Sequence, residues 1–170
     1  ETALGYQNGS LLNLWDFALV AQRNGYPLSA GFIERLLAAT RYLLLLMTPE
    51  GALPSFGDIH RSPGMLTTLA ATAAALSSDG VCKWFDERCR RHLPGCDETP
   101  GQLPACAFWR VGLAGASTYA ETRACDPRLT SVLMSQSGYA ALRSGAAPDA
   151  RYLAIAAANR GPIVTSHGHN

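Results

Sequence analysis

The chain has 170 residues, 48% of them hydrophobic, and 14 Lys and Arg against 13 Asp and Glu leave a formal charge of +1. That length suffices to bury one substantial core, while so small a net charge gives no global field for gathering nucleic acid or an anionic membrane. The longest strongly apolar run, residues 43–47, is far shorter than the ~20 residues of a membrane span. The chain opens on Glu1 with no signal-peptide layout and stops on Thr165-Ser166-His167-Gly168-His169-Asn170, so both ends read as cut from a longer protein.

The first half reads as helices. Over residues 4–24, Leu11, Leu12, Trp15, Ala18 and Leu19 share one face, while Leu14, Phe17 and Val20 put apolar atoms on the others. A helix apolar nearly all round is expected to be covered on both sides. Asn24-Gly25-Tyr26-Pro27 supplies a left-handed stop and a helix breaker, and from Ser29, a plausible cap, Phe32, Ile33, Leu36, Leu37, Leu43, Leu44 and Met47 recur at helical spacing. The two helices should form an antiparallel hairpin. Residues 49–58 form a loop by their Pro and Gly content, Ser62-Pro63 opens an Ala-rich helix over residues 65–76, and Ser77-Ser78-Asp79-Gly80 ends it. A short helix follows over residues 81–91, with Trp84, Phe85 and Cys89 inward. Arg88, Arg90 and Arg91 crowd its last turn and read as a solvated helix end that complements the dipole. Residues 93–104 are a loop, and residues 105–116 a last short helix.

The texture changes after Pro127, where residues 129–134, 138–143, 152–156 and 162–165 are short extended runs separated by turns. Helices first and strands after, with little alternation, indicate an α+β chain with an antiparallel sheet, divided into a helical part, 1–124, and a β part, 125–170. The five cysteines, Cys82, Cys89, Cys96, Cys106 and Cys125, are too widely spaced for a CxxC motif, and either one disulfide within residues 82–106 or buried free thiols fits them.

Four stretches could carry chemistry, and each has a plain structural alternative. On an extended segment His167 and His169 point the same way, a spacing that a metal can use, and that a surface turn also produces. Tyr6 stands where a buried helix begins, either as a ligand-facing group or as an amphipathic tyrosine at the rim of the core. Phe56-Gly57-Asp58 reads as a tight turn whose aspartate caps its own backbone, and Ser137-Gly138-Tyr139 as a strand start.

Their order adds information. An acidic residue and then Gly5-Tyr6 head a long helix; Leu53-Pro54 leads into Gly57-Asp58. Ser137-Gly138-Tyr139-Ala140-Ala141-Leu142-Arg143-Ser144-Gly145 opens a sheet, and His167-Gly168-His169-Asn170 follows. This succession, spanning the whole chain, resembles the heparinase II/III-like polysaccharide lyases, which include alginate and oligoalginate lyases.

The resemblance implies the C-terminal part of an incomplete (α/α) toroid followed by the first strands of an antiparallel β-sandwich. It implies β-elimination on a uronic-acid polysaccharide or oligosaccharide, with Tyr6 as general acid, and in many members base, and His167 assisting in the cleft. His169 matches a zinc ligand of several relatives; the zinc would be structural, with its other ligands outside this chain, and the carboxylate-neutralising residue would lie upstream. An acidic saccharide is then the partner, in the periplasm or outside the cell, with the cytoplasm open to an enzyme acting on oligosaccharides. The isolated chain is expected to be inactive. A non-catalytic carbohydrate-binding protein of the same fold is the alternative, and a helical module with an unrelated His-x-His metal site a third.

Overall fold

The computed structural model describes residues 4–56, 63–91 and 101–157. Among them the chain is α+β, with α1 (Leu4–Arg23), α2 (Ala30–Leu45), α3 (Pro63–Ser77), α4 (Gly80–Arg91) and α5 (Ala105–Glu121) preceding β1 (Val132–Met134), β2 (Tyr139–Arg143) and β3 (Tyr152–Ala156).

The helix ends follow from local chemistry. After α1, Gly25 takes φ 72° and the Tyr26 N–H reaches back to the Ala21 carbonyl at 2.9 Å, the left-handed exit that glycine permits without strain. Ser29 caps α2, its hydroxyl accepting from the Phe32 N–H at 3.1 Å. Asp79 caps α4 in the same way, Oδ1 accepting from the Cys82 N–H at 2.7 Å while Oδ2 pairs with Arg41. Burial alone would push the Asp79 carboxyl up, but the hydrogen bonds from Arg41 and Cys82 outweigh it and hold the group below its usual range.

Long-range contacts set the helix directions. Trp15 Nε1 donates to Thr40 Oγ1 at 3.0 Å and the Phe17 ring meets Phe32 edge-on at 6.1 Å, so α1 and α2 are antiparallel, as the hairpin reading expects. Arg41 pairs with Asp79 at the head of α4 and Met47 meets Cys89 near its end, which makes α2 and α4 parallel. Lys83 on the first turn of α4 reaches the carbonyls of Tyr119 and Thr122 at the end of α5, joining these two ends.

Helix α3 lies at the centre of this packing, touching α1, α2, α4 and α5. Every residue from Leu66 through Ala75 is buried, Thr67, Thr68 and Thr72 included. Over that stretch the helix is enclosed all round. Its alanines permit that: small side chains let neighbours approach from every direction, and dispersion across many close contacts replaces what large side chains would contribute.

Helix α1 departs from the two-sided cover expected of it. Leu4, Asn8, Leu11, Leu12, Trp15, Ala18 and Ala21 form the buried stripe, but Tyr6, Leu14, Phe17 and Val20 are exposed, because the described neighbours cover only one side. Helix α5 runs five residues longer than the sequence suggests, through a kink at Gly112 with φ 71°. Near that kink Arg23 Nη2 donates to the carbonyls of Arg110 and Val111, each at 3.2 Å.

The sheet is an antiparallel meander in the order β1-β2-β3, with Val132 opposite Ala141, Tyr139 opposite Ala156 and Arg143 opposite Tyr152. Three of the four expected strands are present with the turns between them; the fourth, 162–165, lies outside the described residues. One face joins the helical core through Tyr139 and Ala141, with Val132, Met134 and Tyr152 packed against it. The other presents Leu133, Leu142, Leu153 and Ile155 to the surface.

Gly80 marks the closest approach between the helices and the segment that leads to the sheet. Its carbonyl accepts from the Cys125 N–H at 2.8 Å, and a β-carbon on it would run into the Arg123 carbonyl. Gly80→Ala should therefore lower stability by about 1–3 kcal/mol through overpacking, although alanine is intrinsically the better helix residue. Chemical denaturation checks this; a variant as stable as the parent, or more so, contradicts the close approach.

Candidate functional site

The junction between helices and sheet is built on the end of α2. An α-helix leaves its last carbonyls without partners of their own, and α2 has no basic residue in its last turn to answer them. Strand β2 places Tyr139, Ala141 and Arg143 alternately on its inward face. Arg143 Nη2 donates to the Leu45 carbonyl at 2.5 Å and the Met47 carbonyl at 2.9 Å, while Nη1 donates to the Thr130 carbonyl at 3.0 Å.

Its cross-strand partner Tyr152 lies under the guanidinium, 5.2 Å from ring centre to Cζ, and donates its hydroxyl to the Leu46 carbonyl at 2.6 Å. Three successive carbonyls of the α2 end are thus taken by two side chains of the sheet. Tyr42 adds a 2.5 Å hydrogen bond to Ser137 Oγ, and the rings of Phe56 and Tyr139 pack at 5.7 Å. Burial lowers the pKa of Arg143, but a guanidinium stays protonated in a protein, so the clamp keeps its charge.

Tyr6 sits in the first turns of α1 with 55% of its surface exposed. Because α1 and α2 are antiparallel and meet at Trp15 and Thr40, the nine residues from Trp15 back to Tyr6 and the six from Thr40 on to Leu46 lead toward the same end, by about 13 Å and about 9 Å. Residue 6 is therefore level with the end of α2 that carries the sheet, on the face of α1 opposite its buried stripe. Two residues on, Asn8 is buried, and its Oδ1 has no hydrogen-bond partner among the described residues. His167 and His169 lie outside the described residues, as do Gly57, Asp58 and Cys96. Cys82 is a buried free thiol, its pKa pushed well up by burial, and Cys106 and Cys125 are free at the surface.

Among the described residues no group of three or more His, Cys, Asp or Glu side chains could hold a metal. They supply no ligand set for the zinc that the resemblance implies. Nor is any described helix long and apolar enough to cross a membrane.

The arginines of α4 need a correction. Read as a solvated helix end, they divide: Arg91 is exposed, Arg88 is half-buried over the Trp84 ring and donates to the Pro49 carbonyl at 3.2 Å, and Arg90 is buried. Arg90 Nη2 lies 3.0 Å from both Asp86 Oδ2 and the Tyr119 hydroxyl, and that hydroxyl donates to Asp86 Oδ2 at 2.5 Å. Lys83 is buried beside them, donating to the Tyr119 and Thr122 carbonyls at 2.7 and 2.8 Å, with Glu87 4.0 Å away. Charge counting along the sequence sees three cations in one turn and cannot see that Asp86, four residues before Arg90, faces inward with it.

Burial pushes the Asp86 carboxyl up to about 6, against the pull of Arg90 and Tyr119, and raises the Tyr119 phenol as well. A carboxyl raised on folding binds more protons in the native than in the unfolded state between the two pKa values, so its contribution to stability falls as pH climbs from about 4 to about 6. The stability of the wild type relative to Asp86→Asn should decrease by up to about 3 kcal/mol between pH 4 and pH 7, measured by urea denaturation of both proteins. A difference that is flat, or that grows with pH, would mean that Arg90 and Tyr119 more than offset the burial.

Comparison with protein-family models, with curated proteins and with solved structures gave no match to this chain.

Proposed function

We propose that this protein is a polysaccharide lyase that cleaves a uronic-acid-containing polysaccharide or oligosaccharide by β-elimination. The reading is supported by the succession of motifs from Gly5-Tyr6 to His167-Gly168-His169 and by the exposure of Tyr6 level with the sheet-bearing end of α2. The position of that phenol is the observation that carries it: a general acid that must reach a polymer needs an open approach, and a core-rim tyrosine does not.

The finer architecture belongs to the same proposal. The antiparallel pair of α1 and α2 suits the helical hairpins of an α/α toroid. An antiparallel sheet whose outer face is Leu133, Leu142, Leu153 and Ile155 suits one layer of a sandwich, since a sheet left single-layered normally turns a polar face to water.

The chemistry sets the demand. A proton on the carbon beside a uronate carboxylate is very weakly acidic, because its removal places a second negative charge next to the first; stabilising that charge is a large part of the catalysis. Tyr6 delivers a proton to the departing O4 oxygen, and in the same position can first remove the C5 proton if neighbouring donors favour the phenolate. A free tyrosine has pKa ~10. His167, with an imidazole near neutral pKa, assists as base or charge stabiliser. An acidic saccharide is the partner, and the periplasm or the cell exterior the setting.

Tyr6→Phe, made in the full gene product, should lower the rate of elimination by about 10²–10⁴-fold while polymer binding persists. The assay follows the absorbance of the unsaturated uronate formed from alginate or, as the sulfated alternative, heparin. A variant as fast as the wild type removes Tyr6 from the mechanism, and a wild type that binds these polymers without cleaving them favours the carbohydrate-binding alternative.

A further inference from the structure

The sheet contributes more to the end of α2 than packing. Arg143 reaches about a hundred residues back along the chain, and its fork closes on the carbonyls of Leu45 and Met47 together while Tyr152 takes the one between them. Each bond alone would leave the sheet free to pivot. Two N–H groups of the one nitrogen Nη2, a third donor from the neighbouring strand, and the stacking of guanidinium on phenol ring fix both the distance and the angle between sheet and helix. The partners are backbone carbonyls of a helix end, so the anchor point cannot shift by a side-chain rotation. On the sheet side Arg143 is held in turn, its N–H donating to Ser131 Oγ at 2.9 Å and Nη1 to the Thr130 carbonyl at 3.0 Å.

The same helix end and the Tyr6 turn of α1 point toward one end of the antiparallel pair. From these two facts, and resting on the lyase reading above, we infer that Arg143 is a positioning residue for the elimination: acting with Tyr152, it sets the sheet side of the cleft against the helix side that carries the phenol. The role differs from stabilisation in a measurable way. Reactions between groups held on two separate layers depend steeply on their alignment, and a misplacement of about 1 Å can cost about 10²-fold in rate with no contact to substrate lost. A residue that only stabilised the fold would change the fraction of active molecules and leave each one's turnover alone.

The test compares Arg143→Met, which keeps the aliphatic stem and removes the donors, with Arg143→Lys, which keeps the charge and, as Lys83 does, can meet two carbonyls but loses the Nη1 bond to the Thr130 carbonyl and the planar stack on Tyr152, and with Tyr152→Phe. All three are made in the full gene product and assayed on a short oligo-uronate at a temperature where circular dichroism shows each to be folded. Arg143→Met should lower kcat by about 10²-fold with KM within about threefold of the wild type, Arg143→Lys should recover part of the loss, and Tyr152→Phe should lower kcat less than Arg143→Met.

Should Arg143→Met fail to fold, Tyr152→Phe carries the test by the same split between kcat and KM. Wild-type kcat in a folded Arg143→Met, or a loss that tracks only the folded fraction and vanishes on cooling, overturns the positioning role while leaving the lyase reading intact. A wild-type protein that cleaves no uronate polymer overturns both.

Discussion

Helix ends that cannot satisfy their own carbonyls govern how this chain is put together. Neither α2 nor α5 has a basic residue in its last turn, and each receives a cation from elsewhere: Arg143 from the sheet closes α2, and Lys83 from α4 closes α5. Arg23 does the same for the carbonyls near the Gly112 kink, and Arg88 for the Pro49 carbonyl. Each such bond joins the negative end of a peptide dipole to a full charge, from the exposed contact of Arg23 to the buried one of Lys83. A hydrogen bond of this charged kind is worth about 1.5–3 kcal/mol, and leaving a buried carbonyl unmet costs about as much. Non-local bonds of this type make the packing of one element a condition for the ending of another.

The helical part shows the complementary device. An alanine-rich helix at the centre lets four others close around it, but it offers few large side chains to lock them in register. Directional polar contacts supply that specificity: Trp15 to Thr40, Arg41 to Asp79, Arg110 to Asp16, and the buried set of Asp86, Arg90, Tyr119 and Lys83. The last set carries a cost in desolvation, which raises the Asp86 carboxyl, and ties α4 to the end of α5 through side-chain hydrogen bonds.

Much of this was legible in the residues. Apolar spacing, Ser29, Asn24-Gly25 and the clusters of Gly and Pro placed all five helices and their order, the fifth cut short at its far end, and short extended runs placed the three described strands. What escaped the reading was polar residues on inward faces. Arg143 stands on the same face of β2 as Tyr139 and Ala141, and a cation at an inward-facing position of a strand is a signal of a buried partner; the reading treated the whole stretch as a strand start. Asp86 and Arg90 flank Phe85 and Cys89 on the buried side of α4, which again marks a pair rather than a solvated end. The partners themselves, carbonyls about a hundred residues away or a phenol on the next helix, have no local trace in sequence. The extent of α5 was underread at its far end: the spacing carries the helix through Gly112 to residue 116, whereas it continues to Glu121 past a kink whose carbonyls Arg23 meets.

The functional account joins two groups far apart in the chain, the phenol of Tyr6 on the helical side and the imidazole of His167 beyond the sheet that Arg143 holds in place. A crystal structure of the full gene product with an oligo-uronate bound tests this most directly, through the positions of those two rings. The account predicts that the Tyr6 hydroxyl and a His167 ring nitrogen both lie within hydrogen-bonding reach, about 2.6–3.2 Å, of one bound saccharide at the face where helices and sheet meet. Rings tens of ångströms apart, or turned into separate interiors with the saccharide elsewhere, would contradict it.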